Sequence, residues 1–161
     1  MPWRARATML SFTEAVAREQ AFVVAGTPCV ALDLELHDGD DAAVFVYLED
    51  VAPSGHVRYV TEGCARAGFH GSDSFCRADL QPFSRGVLHV QLQPVAYEFQ
   101  AGHRVRVSLA GADAQNFLPL EGAAARWTVH LEQSSLVLPE LPRGPAPGAG
   151  PGAPRDAWKG D

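Results

Sequence analysis

The chain has 161 residues, 47% of them hydrophobic and 20% charged, with a formal net charge of -6. That length supports one domain with a substantial core and not two. No apolar run reaches the roughly 20 residues a membrane helix needs, and the acidic balance without a basic stripe argues against a nucleic-acid partner.

Met1 to Leu10 lacks the apolar stretch of a secretory signal, so a cytoplasmic location is the expectation. SFTEAVAREQ places Glu14 three residues after Ser11, the spacing of a capping box. It reads equally as a short helix ahead of the first core strand or as extended chain. From Pro28 to Leu36 the pattern is clear. Val30, Leu32, Leu34 and Leu36 alternate with Ala31, Asp33 and Glu35, so a strand with one apolar face is predicted. Gly39 in HDGDD supplies the turn. Ala43 to Val51 is apolar at both parities, with Val44, Val46 and Leu48 on one side and Phe45 and Tyr47 on the other. Such a strand is central in its sheet or covered by another domain. Pro53 and Gly55 then turn the chain into His56 to Gly63, which predicts a hairpin.

Residues 64 to 85 lack periodicity and read as a long loop. Strands return at Gly86 to Pro94 and on both sides of Gly102, where Val105, Val107 and Leu109 share a face opposite Arg104, Arg106 and Ser108. Arg126 to Glu132 and Ser134 to Pro139 read as two last short strands. About eight strands with Gly/Pro turns and no sustained helical period indicate an all-β sandwich. The last segment, 142–161, holds five prolines and five glycines and is expected to be a disordered tail. The domain is therefore placed at 10–141.

Catalytic signatures are missing. No G-x-S-x-G pentapeptide occurs, and Ser72, His70 and Asp73 lie too close in sequence to converge as a triad. The six histidines show no metal spacing, and Asp38, Asp40 and Asp41 read as a solvated turn rather than a calcium loop. Cys29, Cys64 and Cys76 are odd in number and form no CxxC, which argues against a disulfide framework. No catalytic residue, metal or cofactor is assigned. Asp50, Arg104, Arg106 and Asp113 are expected to act as structural charge pairs, Asp50 with Arg104 first among them.

Five segments in order carry a resemblance: AGTPCVALDLEL, VFVYLEDVAPSGHVRYVTEG with CARA, SFCRADLQPF, LQPVAYEFQAGHRVRVSLAGAD and HLEQSSLVLPEL. Together they resemble the C-terminal domain of the X-prolyl dipeptidyl aminopeptidase and cocaine esterase family of serine hydrolases. The resemblance implies a jelly-roll sandwich of the galactose-binding-like kind. It also implies that the catalytic serine, aspartate and histidine belong to a separate α/β-hydrolase domain, on which this domain packs in cis or in trans. The expected function is a non-catalytic accessory domain of a dipeptidyl-peptidase or acyl esterase, inactive alone. The alternative is a free-standing carbohydrate- or small-ligand-binding module. Phe69, Phe75, Phe83, Phe117, Leu118 and Leu120 are expected either to form the domain interface or to fold back and plug the ends of the sandwich.

Overall fold

The computed structural model describes residues 9–15, 17–71, 76–118, 120–122, 124 and 126–142. All but Pro142 of the expected C-terminal tail lies outside the described residues. Nine strands run through the described residues: β1 (Met9–Thr13), β2 (Phe22–Gly26), β3 (Cys29–Leu36), β4 (Ala43–Val51), β5 (Val57–Arg66), β6 (Arg85–Gln91), β7 (Val95–Phe99), β8 (Arg104–Ala110) and β9 (Trp127–Val137). The only helical turns described are short 3₁₀ segments, at Ala67–Phe69 and Arg77–Asp79.

Every strand pairing is antiparallel. One sheet has the order β1-β8-β4-β5, a second β6-β3-β9, and β2 pairs with β7. The chain after β9 returns along β2: Ala25 N donates to Pro139 O and Leu141 N to Val23 O, each at 2.9 Å. The expected β4–β5 hairpin forms through Ala52–His56, with Gly55 at φ +83°.

The alternation in β3 and β4 decides what lies between the layers. Val30, Leu32 and Leu34 from β3 meet Val44, Val46 and Leu48 from β4 in one core, joined by Val24, Leu88, Val90, Phe99, Val105 and Leu109. All three sheets contribute to it, so the fold is a sandwich around a single core. The layers come closest where β5 meets the end of β6. A Cβ on Gly63 would lie 2.2 Å from the Gln91 carbonyl oxygen, so only glycine fits that contact.

One open reading closes and two expectations change. Ser11, Phe12 and Thr13 at the start of the capping-box segment belong to strand β1, Met9–Thr13, because their backbone groups pair with β8 along the sheet edge. Residues 64–66 continue β5 instead of opening the loop. The two last short strands are one eleven-residue strand, β9. Its register on β3 shifts between Ala31, which faces Ser135, and Asp33, which faces His130. The extra residues form a bulge. Ser134 Oγ closes it by accepting from Asp33 N at 3.1 Å and donating to His130 O at 2.9 Å. Strand β2 has no clean alternation in sequence and was not expected.

Candidate functional site

Strand β4 is apolar on both faces, and the structure accounts for both. It is central, between β8 and β5, with its inner face in the main core. Its outer face carries Phe45 and Tyr47, which cluster with Ala110, Met9 and Ala43. The chain's own segment after β8 folds over them. The Phe117 ring tilts against Phe45 at 4.9 Å between centroids. Beneath it the Tyr47 hydroxyl donates to Asp113 Oδ2 at 3.0 Å, and Asn116 Nδ2 donates to the same oxygen at 2.9 Å. Asp113 is buried, so these bonds fix the segment from below. Its upper side is apolar: Phe117 is 48% and Leu118 93% exposed. A recess of about 30 Å³ lies here, lined mostly by apolar groups including Phe45, Phe117, Leu118 and Leu120.

Further along the outer face the side chains become polar. Cross-strand pairing puts Glu49 opposite Arg106 and Tyr47 opposite Ser108. Glu49 Oε2 accepts from Arg106 Nε at 2.8 Å and from the Ser108 hydroxyl, and Ser11 Oγ stands 2.8 Å from Ser108 Oγ. This network ties β1, β8 and β4 together.

A different cluster forms at the far end of β4, on the inner side. Asp50 is buried; its Oδ2 accepts from the Tyr97 hydroxyl at 2.7 Å and its Oδ1 from His103 Nδ1 at 2.8 Å. Desolvation, the bond to Asp50 and its charge push the Tyr97 phenol up to about 12, with Arg58 opposing. These residues line a cleft of about 200 Å³ together with Ala52, His56, Arg58, Glu98 and Gln100.

The expected site residues are thus only partly brought together. Asp50 and Arg104 form no ion pair. Asp50 points inward at an even position of β4, whereas Arg104 pairs across from the outward Val51, and the period of two separates them. Arg106 does lock β8 to β4, but through Glu49. Asp113 accepts from the Tyr47 hydroxyl and the Asn116 amide among the described residues. Phe83 folds back instead of forming an interface: it is 2% exposed in the main core, where Phe83 N bonds Asp40 O and draws the loop inward. Phe69 is half-buried with the Arg66 guanidinium 5.6 Å from its ring centre, and Phe75 lies outside the described residues. Ser72 and Asp73 also lie outside them, while His70 Nδ1 is spent 3.0 Å from Ala67 O.

The aspartate turn is structural. Asp41 Oδ1 accepts from Ala42 N at 2.9 Å and Gly68 N at 2.8 Å, and Asp38 holds Arg126. No group of three or more metal-ligating side chains exists among the described residues. Sequence reasoning missed Glu49, Tyr97 and the pairing role of His103. The signal for His103 was its place directly before β8 in the Ala-Gly-His-Arg stretch, one step from the strand end that holds Asp50.

These features define a β-sandwich module whose described residues show bonded structural charges and an apolar projection at Phe117 and Leu118. Comparison with known proteins makes the class specific. The model of the X-Pro dipeptidyl-peptidase C-terminal non-catalytic domain matches residues 4–140, and the chain belongs to that family. A curated Mycobacterium bovis protein named "Putative serine esterase Mb1866c" is 38% identical over 118 residues, covering 63% of this chain and 19% of its own length. A Mycobacterium tuberculosis serine esterase of the same description matches equally. Among solved structures, an α-amino acid ester hydrolase superposes with a TM-score of 0.66 at 24% identity, over 84% of this chain and 26% of its own. A CocE/NonD family hydrolase from Staphylococcus aureus gives 0.63 at 15% identity, over 86% and 31%. At these identities the solved structures establish the fold. The chain spans about a fifth of the length of the curated relatives it matches.

Proposed function

We propose that this non-catalytic domain docks on the α/β-hydrolase catalytic domain of a serine hydrolase for acyl esters or X-Pro peptides, using the sandwich end that carries Phe117, Leu118 and Leu120. The observation that carries this reading is Leu118, 93% exposed beside a half-exposed Phe117 on a segment anchored by the buried Tyr47–Asp113 bond. Single exposed apolar side chains are ordinary, but neighbouring ones that flank an apolar recess, as Phe117, Leu118 and Leu120 do, mark a contact surface. The partner is supported by the relatives, whose chains are several times longer than the part matched here. The role is to wall and steady a neighbouring site, with the chemistry supplied by the hydrolase domain.

The test pairs binding with activity. The purified chain is expected to leave p-nitrophenyl acyl esters and X-Pro amides uncleaved. It is expected to bind a separately expressed α/β-hydrolase domain of the family in analytical ultracentrifugation, and Leu118→Asp is expected to abolish that binding without lowering Tm. Turnover by the isolated chain, or hydrolase binding indifferent to Leu118→Asp, overturns the reading.

A further inference from the structure

The four-stranded sheet ends on β1, and the far edge of that strand is open. Just beyond the β1–β8 ladder, Glu14 N donates to Val105 O at 2.9 Å. Bonded and non-bonded positions alternate in an antiparallel pair, so Phe12 and Leu10 bond to Val107 and Leu109. The backbone N–H and C=O groups of Met9, Ser11 and Thr13 therefore point away from β8. They have no hydrogen-bond partner among the described residues.

Other edges of the sandwich are treated differently. On β5, Gln93 N donates to Glu62 O at 2.8 Å and the Thr61 hydroxyl donates to Gln93 O at 2.9 Å, which covers part of that edge. The edge of β2 is taken by the chain after β9. Strand β9 is interrupted by its bulge, a common protection against edge pairing. Strand β1 carries no charge, no proline and no bulge. Its side chains tell the same story. Leu10 and Phe12 share the inner side; Phe12 packs on the main core, whereas Leu10 is 47% exposed.

We propose that two copies of this chain pair β1 against β1, antiparallel, about a twofold axis at Ser11, so that one sheet runs through both. Ser11 then stands opposite Ser11, Met9 opposite Thr13, and Leu10 opposite Phe12 of the second copy. In this register every outward N–H and C=O of one strand meets its complement in the other. The half-exposed Leu10 gains an aromatic neighbour on the inner side, a favourable cross-strand pair. No charge within Met9–Thr13 is brought against its own image, so the symmetry carries no like-charge contact. An extended peptide of another protein could use the same backbone groups. The coincidence of backbone complementarity with the Leu10–Phe12 match in a single symmetric register favours a second copy. One short strand from each copy makes a contact of the weak class, below about 1,200 Å² of buried surface, so the dimer belongs to high protein concentration.

The experiment follows the full chain by sedimentation equilibrium and by amide hydrogen exchange read by NMR, from about 10 μM to about 1 mM, the range suited to a contact of this size. A reversible monomer–dimer equilibrium is expected. The Leu10 and Phe12 amides are expected to exchange slowly throughout, and the Ser11 and Thr13 amides to become slow only as concentration rises. Thr13→Pro removes an outward N–H that β8 does not use, and Leu10→Lys places a charge at a half-exposed position. Each is expected to weaken the dimer at least tenfold, Leu10→Lys with Tm unchanged. Leu118→Asp is expected to leave the dimer intact, so self-pairing and docking on a hydrolase domain are read separately. A monomer at the highest concentration, a dimer indifferent to both β1 variants, or a dimer lost in Leu118→Asp overturns the proposal. So does equal protection of Ser11 and Thr13 at every concentration, which would place another part of the same chain on this edge.

Discussion

Replacing Asp50 by alanine tests whether the end of the sandwich is held by this one carboxylate. Asp50 is 4% exposed and receives bonds of 2.7 Å from Tyr97 and 2.8 Å from His103. Each hydrogen bond to a charged acceptor contributes about 1.5–3 kcal/mol. Tyr97 and His103 are only partly buried, so water recovers a share of what they lose, and the low end of that range applies to both. The net loss is then about 3 kcal/mol. For a domain of this size each kcal/mol moves Tm by about 2–4 °C, so Asp50→Ala is expected to melt roughly 6–12 °C lower. Asp50→Asn keeps the shape and one acceptor and is expected to lose about half as much. Scanning calorimetry, paired with a double-mutant cycle against Tyr97→Phe, reads both effects. The combined variant should lose less than the two single losses added, by about 0.5 kcal/mol or more. A shift within experimental error in Asp50→Ala, or strict additivity with Tyr97→Phe, would refute the reasoning.

Two further perturbations address separate features. Gly63→Ala drives a methyl group onto the backbone at Gln91 and Leu92, which cannot yield as a side chain would. It is expected to destabilise by at least the 1–3 kcal/mol or so typical of overpacking, read by urea denaturation, and a neutral result would mean the sheets are not in contact there. The Tyr97 phenol lies above its ordinary value of 10.0, at about 12. Because the folded-state value is raised, its stabilising contribution is complete below about pH 10 and is lost as pH rises towards about 12. Tyr97→Phe should flatten the alkaline fall in Tm over that window, and an unchanged profile would exclude the phenol as its source.

Much of the sandwich was legible in the chain itself, because a period of two is a local property. Val30 to Leu36 and Val44 to Leu48 announce their inner faces without help from the rest of the molecule, and Gly55 and Gly102 mark turns that require positive φ. The ordered motifs around Leu48 to Gly55 and Ala101 to Arg104 carried the family. What remained hidden depends on partners distant in sequence. The Ser11–Glu14 pattern suits a helix start in isolation, and only the open edge of β8 makes it a strand. The break in β9 becomes a bulge through Ser134, whose partner Asp33 lies 101 residues away.

Charge pairing shows the same division. Asp50 ends one apolar strand and Arg104 begins another beside a glycine turn, which in the sequence suggests that the two pair. Strand register decided otherwise, since alternation sends Arg104 outward beside Val51 while Asp50 turns inward to Tyr97 and His103. Phe83 and Leu118 are equally apolar residues in irregular segments, and sequence alone does not separate them. One is pulled into the core by its backbone bond to Asp40, and the other is lifted away from it by the Asp113 anchor beneath its loop. The residue pattern thus determined which elements form and which faces are apolar. The tertiary structure decided which groups meet, because burial and pairing are set by register and by contacts across the chain.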